Sequence, residues 1–285
     1  MYKDVFKDSY VLIGPIGAGK SFVADKLSQI TGMPVVSLDI LKTCPKTITE
    51  ITQNKQVYIS KRSALRAERT HCTNFVKMMS LNNEIAECDK KIKRCNKQVE
   101  MREFLPNVRN YYEMFYSEAV ASFIKDTYGE VAWSFYQKQF EIKLLSDVVK
   151  NLPYACILNI GGTIPICLEE EYKTFAKMFK EVDGKLYNMY FGENQLGFEH
   201  IKKILEKFDN VIEFKLPKNY KETMERAGKS KFNTHALRSK QYSQLATFSI
   251  DVNGLIYGDN YNEIVAEQIA NSIVTHLKKD YFTLG

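Results

Sequence analysis

Tyr10-Val11-Leu12-Ile13-Gly14-Pro15-Ile16-Gly17-Ala18-Gly19-Lys20-Ser21 is an apolar run that ends in the pattern G-x-x-x-x-G-K-[ST], the phosphate-cradling P-loop. Four β-favouring residues predict a strand leading in. Phe22, Val23, Leu27 and Ile30 recur at helical spacing and predict an amphipathic helix leading out. In that context the loop turns its backbone N–H groups toward a phosphate chain, and the helix adds its positive N-terminal end. Gly17 and Gly19 let the backbone approach where a Cβ would intrude. The chemistry assigns Lys20 to the β- and γ-phosphates and Ser21 to Mg²⁺. Gly14, Ala18 and Phe22 complete the expected nucleotide-binding set, and ATP with Mg²⁺ is the expected cofactor pair.

Working outward, Val35-Val36-Ser37-Leu38-Asp39 reads as a second strand and its end. Residues 45–128 differ in character. They contain no glycine, and Leu65, Phe75, Met78, Met79, Leu81, Ile85, Ile92 and Val99 follow helical spacing. The reading is a mainly helical insertion that Gly129 ends. A further helix over 131–150 leads to the buried-strand run Ala155-Cys156-Ile157-Leu158-Asn159-Ile160, closed by Gly161-Gly162-Thr163. Residues 164–199 form a second insertion, with a helix around 172–182 and a candidate strand at 186–191. A helix ending near Phe208, a strand from Val211 to Leu216 and a helix opening at Pro217 follow. A basic loop over 228–236, a strand from Thr247 to Val252 and a closing helix complete the chain. That last helix has Ile264, Val265, Ile269, Ile273 and Leu277 on one face. Strands alternating with helices predict an α/β fold with a parallel five-stranded sheet covered by helices on both faces.

Composition sets the class. The chain has 285 residues, 45% hydrophobic and 26% charged, as expected for a globular domain. No apolar run is long enough to span a membrane, and Met1-Tyr2-Lys3-Asp4 does not open a signal-peptide core. Six cysteines occur without C-x-x-C pairs; they read as reduced thiols, and a cytoplasmic location is expected. His71, Cys72, Cys88 and Cys95 fit no zinc spacing. The net charge is +6, and residues 61–109, with twelve Lys/Arg against six acids, carry an equal excess. That segment is most simply a solvated helical face. Nucleic acid is not the expected partner, because aromatic residues are sparse there until Tyr111-Tyr112.

At this point the chain resembles the shikimate kinase family. The loop reads Gly-Pro-Ile-Gly-Ala-Gly-Lys-Ser, in the family's G-P-x-G-A-G-K-[ST] form. Ser37-Leu38-Asp39 matches the family's D-x-D in its second Asp, and Gly161-Gly162-Thr163 matches its G-G-G in two positions. Arg238-Ser239-Lys240-Gln241-Tyr242-Ser243-Gln244-Leu245-Ala246 reproduces R-x-x-x-Y-x-x-x-A before the last strand. The matches are colinear over 9–44, about 129–163 and 200–280; 45–128 and 164–199 have no counterpart. The resemblance implies one P-loop kinase domain over 1–285 and transfer of the ATP γ-phosphoryl to a hydroxyl of a small acceptor. It makes Asp39 the residue that orients, and can deprotonate, that hydroxyl. It gives acceptor contacts to Gly161, Gly162 and Arg238, adenine stacking to Arg226, the lid to 228–236 with Lys229 or Lys231 across the phosphates, and acceptor binding to the 45–128 region.

The departures are as specific. Ser37 replaces the first Asp of D-x-D. No Arg occurs in 133–145, where the family's F-R-x-x-E supplies a carboxylate-binding Arg: alignment on Phe135 puts Tyr136 there, and alignment on Phe140 puts Glu141. Plainer readings also stand beside the sharp ones. Asp39 fits a helix N-cap, Gly161-Gly162 a tight turn, Arg238 a surface ion pair, Arg226 a solvated helix position, and Lys229 and Lys231 an ordinary surface loop. An enzyme acting on shikimate or a related hydroxylated compound is therefore the first reading. A nucleotide-binding regulatory protein that uses the helical insertion as a partner surface is the second. The oligomeric state is not legible.

Overall fold

The computed structural model describes residues 4–15, 17–45, 47–108, 118–160, 177, 198–215, 241–251 and 261–282. Five short strands form one sheet: β1 (Tyr10–Ile13), β2 (Val35–Ser37), β3 (Ile157–Asn159), β4 (Asn210–Phe214) and β5 (Phe248–Ile250). Their order is β2-β3-β1-β4-β5, and every pairing is parallel. The helices are α1 (Lys20–Thr31), α2 (Leu38–Leu41), α3 (Ile48–Thr70), α4 (Phe75–Phe104), α5 (Glu118–Lys150), α6 (Phe198–Leu205) and α7 (Tyr261–Phe282). This is the expected α/β architecture, and β3 and β4 are buried along their length, as central parallel strands between helical layers are.

The described chain divides into two compact units, one of residues 1–39 and 118–285, the other of residues 40–117. In the first, the core joins strand residues Leu12, Ile157, Ile212, Phe214 and Ile250 to Val23, Ala24 and Leu27 of α1 and Ala266, Ile269, Ala270 and Ile273 of α7. The helix faces differ from the expected ones. Phe22 lies one residue, about 100° of helix, from Val23 and is 49% exposed, while Ile30 and Ile264 are also exposed. The buried stripe of α7 is built around Ala266 and Ala270, both fully buried. Alanines there let a helix lie close to its neighbour at no side-chain entropy cost. β2 stops at Ser37, so Asp39 falls in the first turn of α2 rather than on the strand. In α5, Gly129 adopts φ 86°, ψ 168° and interrupts the helix where the glycine predicted a break.

The second unit is a helical hairpin. α3 opens on a capping box: the Thr47 side chain accepts from Glu50 N, and the Glu50 side chain accepts from Thr47 N. Asn74 caps α4 by accepting from Lys77 N at 3.0 Å. The ion pairs Lys61–Glu84, Glu68–Lys77 and Arg62–Asp89 run in opposite senses along the two helices, which makes them antiparallel. Two apolar clusters lie between them, one around Leu65, Leu81, Ile85 and Cys88, the other around Cys44, Ile51 and Cys95. Phe75 and Met79, expected on the apolar face, are exposed. Arg102 is buried, and its guanidinium donates to the carbonyls of Cys44, Pro45 and Val108. It thereby ties the start of this unit to the end of α4.

The thiols differ sharply in environment. Burial pushes Cys156 from 9.0 up to about 12 and raises Cys44 and Cys95 despite nearby cations. The raised Cys156 stays neutral in the folded chain, so its contribution to stability falls as pH rises above 9.0. At pH 8, iodoacetamide should label the partly buried Cys72 first, and leave Cys44, Cys88, Cys95 and Cys156 unlabelled until the chain is unfolded. Peptide-resolved mass spectrometry reads this directly; equal native labelling of Cys156 and Cys72 would contradict the packing described.

Candidate functional site

β1 lies between β3 and β4 in the middle of the sheet and delivers the chain to the carboxyl edge at Gly14. Gly14 has φ 138°, and a Cβ there would come 2.6 Å from the Phe214 carbonyl oxygen. A side chain would therefore push the loop off β4. Gly17 and Gly19 follow at φ 83° and 80°, in the left-handed region that favours glycine. Gly19 is the N-cap of α1, with no side-chain cap bond and no acidic residue in the first turn. The positive end of a twelve-residue helix is thus left to the loop.

Lys20 is 7% exposed. Its ammonium donates to Gly14 O at 2.8 Å and Pro15 O at 2.7 Å, which holds a positive charge against the loop backbone. Ala18, expected among the nucleotide-binding residues, has its side chain in the core, and its N–H donates to Pro15 O at 3.3 Å. These contacts anchor the loop to the core.

Ser21 is joined by a residue that motif reading passed over. Asn159, the last residue of β3, donates from Nδ2 to Ser21 Oγ at 3.1 Å. It is 4% exposed, and its Oδ1 is buried without a hydrogen-bond partner. In the sheet register it is opposite Leu12 on one side and Ser37 on the other. The edge of three parallel strands thus gathers Ser21, Asn159 and Ser37, all uncharged. Asn159 had one signal in the sequence: it is the polar residue in an otherwise apolar strand run. Asp39 is exposed, two residues beyond Ser37.

Glu213 of β4 is a second buried polar group that the motifs did not reveal. It is 2% exposed. Ser243 Oγ lies 3.0 Å from both of its oxygens and Ser249 Oγ 2.6 Å from Oε2. The carboxylate ties the helical residues 241–245 and β5 to β4. In α5, Tyr136 and Glu141 occupy the two alternative positions of the absent Arg. Both are buried, and the Tyr136 ring stacks on Trp133 (centroids 5.6 Å apart) and meets Phe140 at a tilt (4.7 Å). Gly161, Gly162, Thr163, Arg226, Lys229, Lys231, Arg238, the 228–236 loop and the candidate strand at 186–191 lie outside the described residues.

Among the described residues, no group of three or more His, Cys, Asp or Glu is placed to hold a metal. A phosphate-borne cation needs no such group, since the phosphates and water supply most of its ligands. No described helix is long and apolar enough to cross a membrane.

Comparison with known proteins agrees at the level of the loop. The family model described as isopentenyl transferase matches residues 7–66. A shikimate kinase from Leptospira borgpetersenii serovar Hardjo-bovis (strain JB197) is 57% identical over 35 residues, which is 12% of this chain. The match spans 20% of the length of that relative. No solved structure matches. With the parallel sheet and the loop geometry, these matches support a P-loop nucleotide-binding transferase.

Replacing Lys20 by Ala removes the loop's buried cation and leaves two carbonyls to be re-satisfied, at about 1–3 kcal/mol of stability. Lys20→Ala should therefore fold, with an unchanged circular dichroism spectrum, yet lose turnover and at least about tenfold in ATP affinity. Isothermal titration checks the affinity; unchanged binding and turnover would remove the loop from the site.

Proposed function

We propose that the protein is an ATP-dependent kinase that moves the γ-phosphoryl group to a hydroxyl of a small acceptor, resembling shikimate kinase. The observation that carries this reading is the Lys20 ammonium held against the Gly14 and Pro15 carbonyls at the start of α1. It forms a cationic cradle on the carboxyl edge of a parallel sheet, where open α/β sheets bind ligands. In the transfer, the bond from the γ-phosphorus to the bridging oxygen breaks as a bond to the acceptor oxygen forms. Charge builds on the departing ADP, and Lys20 with the α1 N-terminus offsets it. The acceptor proton passes to Asp39, whose exposure leaves it accessible. Arg238, Gly161 and Gly162 are assigned to the acceptor, Arg226 to adenine and Lys229 or Lys231 to the lid.

The Ser21 surroundings suit Mg²⁺: a hydroxyl steadied by an amide, with the buried Asn159 Oδ1 lacking a donor beside it. When bound, Mg²⁺ would neutralise phosphate oxygens. The chain's own contribution is to hold Ser21 in place.

A second reading has one observation in its favour, the isopentenyl transferase match over 7–66. There the same loop would hold the diphosphate of a prenyl donor, and the bond broken would be carbon–oxygen. Both matches are to transferases, which favours catalysis over a purely regulatory role.

Turnover of Mg-ATP against a panel of small alcohols and hydroxy acids, with a prenyl diphosphate donor assayed in parallel, separates the readings. The expected result is acceptor-dependent ADP formation. Diphosphate release with prenyl transfer and no ADP would instead establish the second reading. Shikimate itself should be a poor acceptor, because Tyr136 and Glu141 are packed where an Arg would grip its carboxylate. One lost contact of that kind costs about 2–5 kcal/mol, roughly 30- to several-thousand-fold in affinity. Turnover near 10 s⁻¹ with a sub-millimolar KM, values common among enzymes, would contradict this. In that event the half-buried Lys143, whose ammonium lies 5.7 Å from the Phe140 ring centroid, becomes the replacement to test.

A further inference from the structure

We propose that the side of the α3–α4 hairpin around Lys55, Lys90, Lys91 and Lys93 is a sequence-independent docking surface for the phosphate backbone of a nucleic-acid duplex. These residues belong to the second compact unit, and the inference stands independently of the nucleotide-binding reading.

The hairpin treats its cations in two ways. Toward the tip they are matched by acids: Lys61 pairs with Glu84, Arg62 and Arg66 with Asp89, and Lys77 with Glu68. Farther along α4 the matching stops. Residues 90–99 hold Lys90, Lys91, Lys93, Arg94 and Lys97 and no acid. Among the described residues, no carboxylate forms an ion pair with Lys55, Lys90, Lys91 or Lys93.

The helix phase gathers these charges. Lys90 and Lys93 are exposed on the side of α4 opposite Cys88 and Cys95, which are buried with α3 residues. Arg94 and Lys97 lie one turn farther on the same side, and Arg94 donates to the Thr43 hydroxyl. Lys91 reaches round to the Tyr58 ring of α3, with its ammonium 5.2 Å from the centroid. Lys55 precedes Tyr58 by about one turn. From Lys90 to Lys97 the cationic side is about 10 Å long. Like charges a turn apart weaken a helix, so the fold gains nothing from this arrangement, whereas a bound polyanion would offset the repulsion.

The surroundings say which polyanion fits. Exposed apolar residues stand clear of the patch: Phe75, Val76 and Met79 are at the tip, and Val57 is on another side of α3. A protein partner would be anchored by buried aromatic or aliphatic contacts. A membrane contact needs an apolar face beside the basic one. A duplex backbone asks only for cations, because released counterions drive the association. The scarcity of aromatic residues argues against a single strand, whose bases need stacking platforms; in a duplex the bases stack on one another. Lysines suit this contact, since a point charge meets phosphate without reading a base edge.

The test is fluorescence anisotropy of the full chain with labelled DNA and RNA duplexes of mixed sequence, at about 50 mM and about 200 mM salt. Binding of either duplex supports the proposal, with affinity falling about 100-fold between the two salts if four phosphates are contacted. Lys90→Ala combined with Lys93→Ala should lower affinity at least about tenfold at low salt and reduce the logarithmic salt slope by about 2. Lys55→Ala combined with Lys91→Ala should do the same, and it serves if the first pair fails the circular dichroism check of folding. Arg69→Ala combined with Lys77→Ala changes the charge equally, but at the tip, about 20 Å from Lys90 along the axis and beyond a Debye length. That control should stay within about twofold of wild type. No duplex binding at low salt overturns the proposal, as does a tip variant that loses as much as the patch variants. Polyglutamate or phosphatidylserine vesicles bound at least as tightly as the duplexes would reassign the surface to an acidic protein or a lipid and overturn it equally.

Discussion

Parallel pairing forces all five strands to end on one edge of the sheet, and everything assigned to the site follows from that constraint. Because β1 lies between β3 and β4, its exit at Gly14 is flanked by the exits of both neighbours. The register then decides which side chains meet. Asn159 of β3 is opposite Ser37 of β2, and Glu213 of β4 is opposite Ile13 of β1. The loop can lie across this edge because Gly14 has no side chain to strike the Phe214 carbonyl. Lys20 then folds back onto the loop's own carbonyls, which holds its positive charge in place against the loop.

Buried polar groups mark where packing yields to function or to architecture. Glu213 and Arg102 serve architecture. The first gathers two serine hydroxyls from 241–245 and β5, and the second satisfies three carbonyls within the helical unit. Both exchange hydration for hydrogen bonds to charged groups, which are stronger than neutral ones. Asn159 differs from them in keeping an acceptor unfilled.

Much of this was legible in the chain because the strongest signals are local. An apolar run, a glycine-rich loop and a helix phase specify β1, the loop and α1 without reference to distant residues. The helix breaks at Gly129 and the glycine-free hairpin were legible for the same reason. What local reading missed depends on partners far away in sequence. Phe22 and Ile264 fit an apolar periodicity, yet which face is buried was decided by the close approach that Ala266 and Ala270 permit in the α1–α7 core. β2 ends at Ser37 because the chain turns directly into α2, which leaves Asp39 on a helix. Asn159 was visible as an oddity in an apolar strand, but its meaning required a hydrogen bond spanning 138 residues of sequence. The acceptor contacts and the lid rest on the family resemblance, since their residues lie outside the described part of the chain.

The central claim is that the backbone of residues 14–21 holds a phosphate chain. Amide hydrogen exchange, followed by mass spectrometry with and without saturating Mg-ATP, tests it most directly. Protection should be concentrated on peptides covering Gly17 to Val23, where the loop amides and the first turn of α1 would acquire acceptors. Saturating nucleotide that leaves those peptides exchanging at their original rates, with protection elsewhere or nowhere, would contradict the claim.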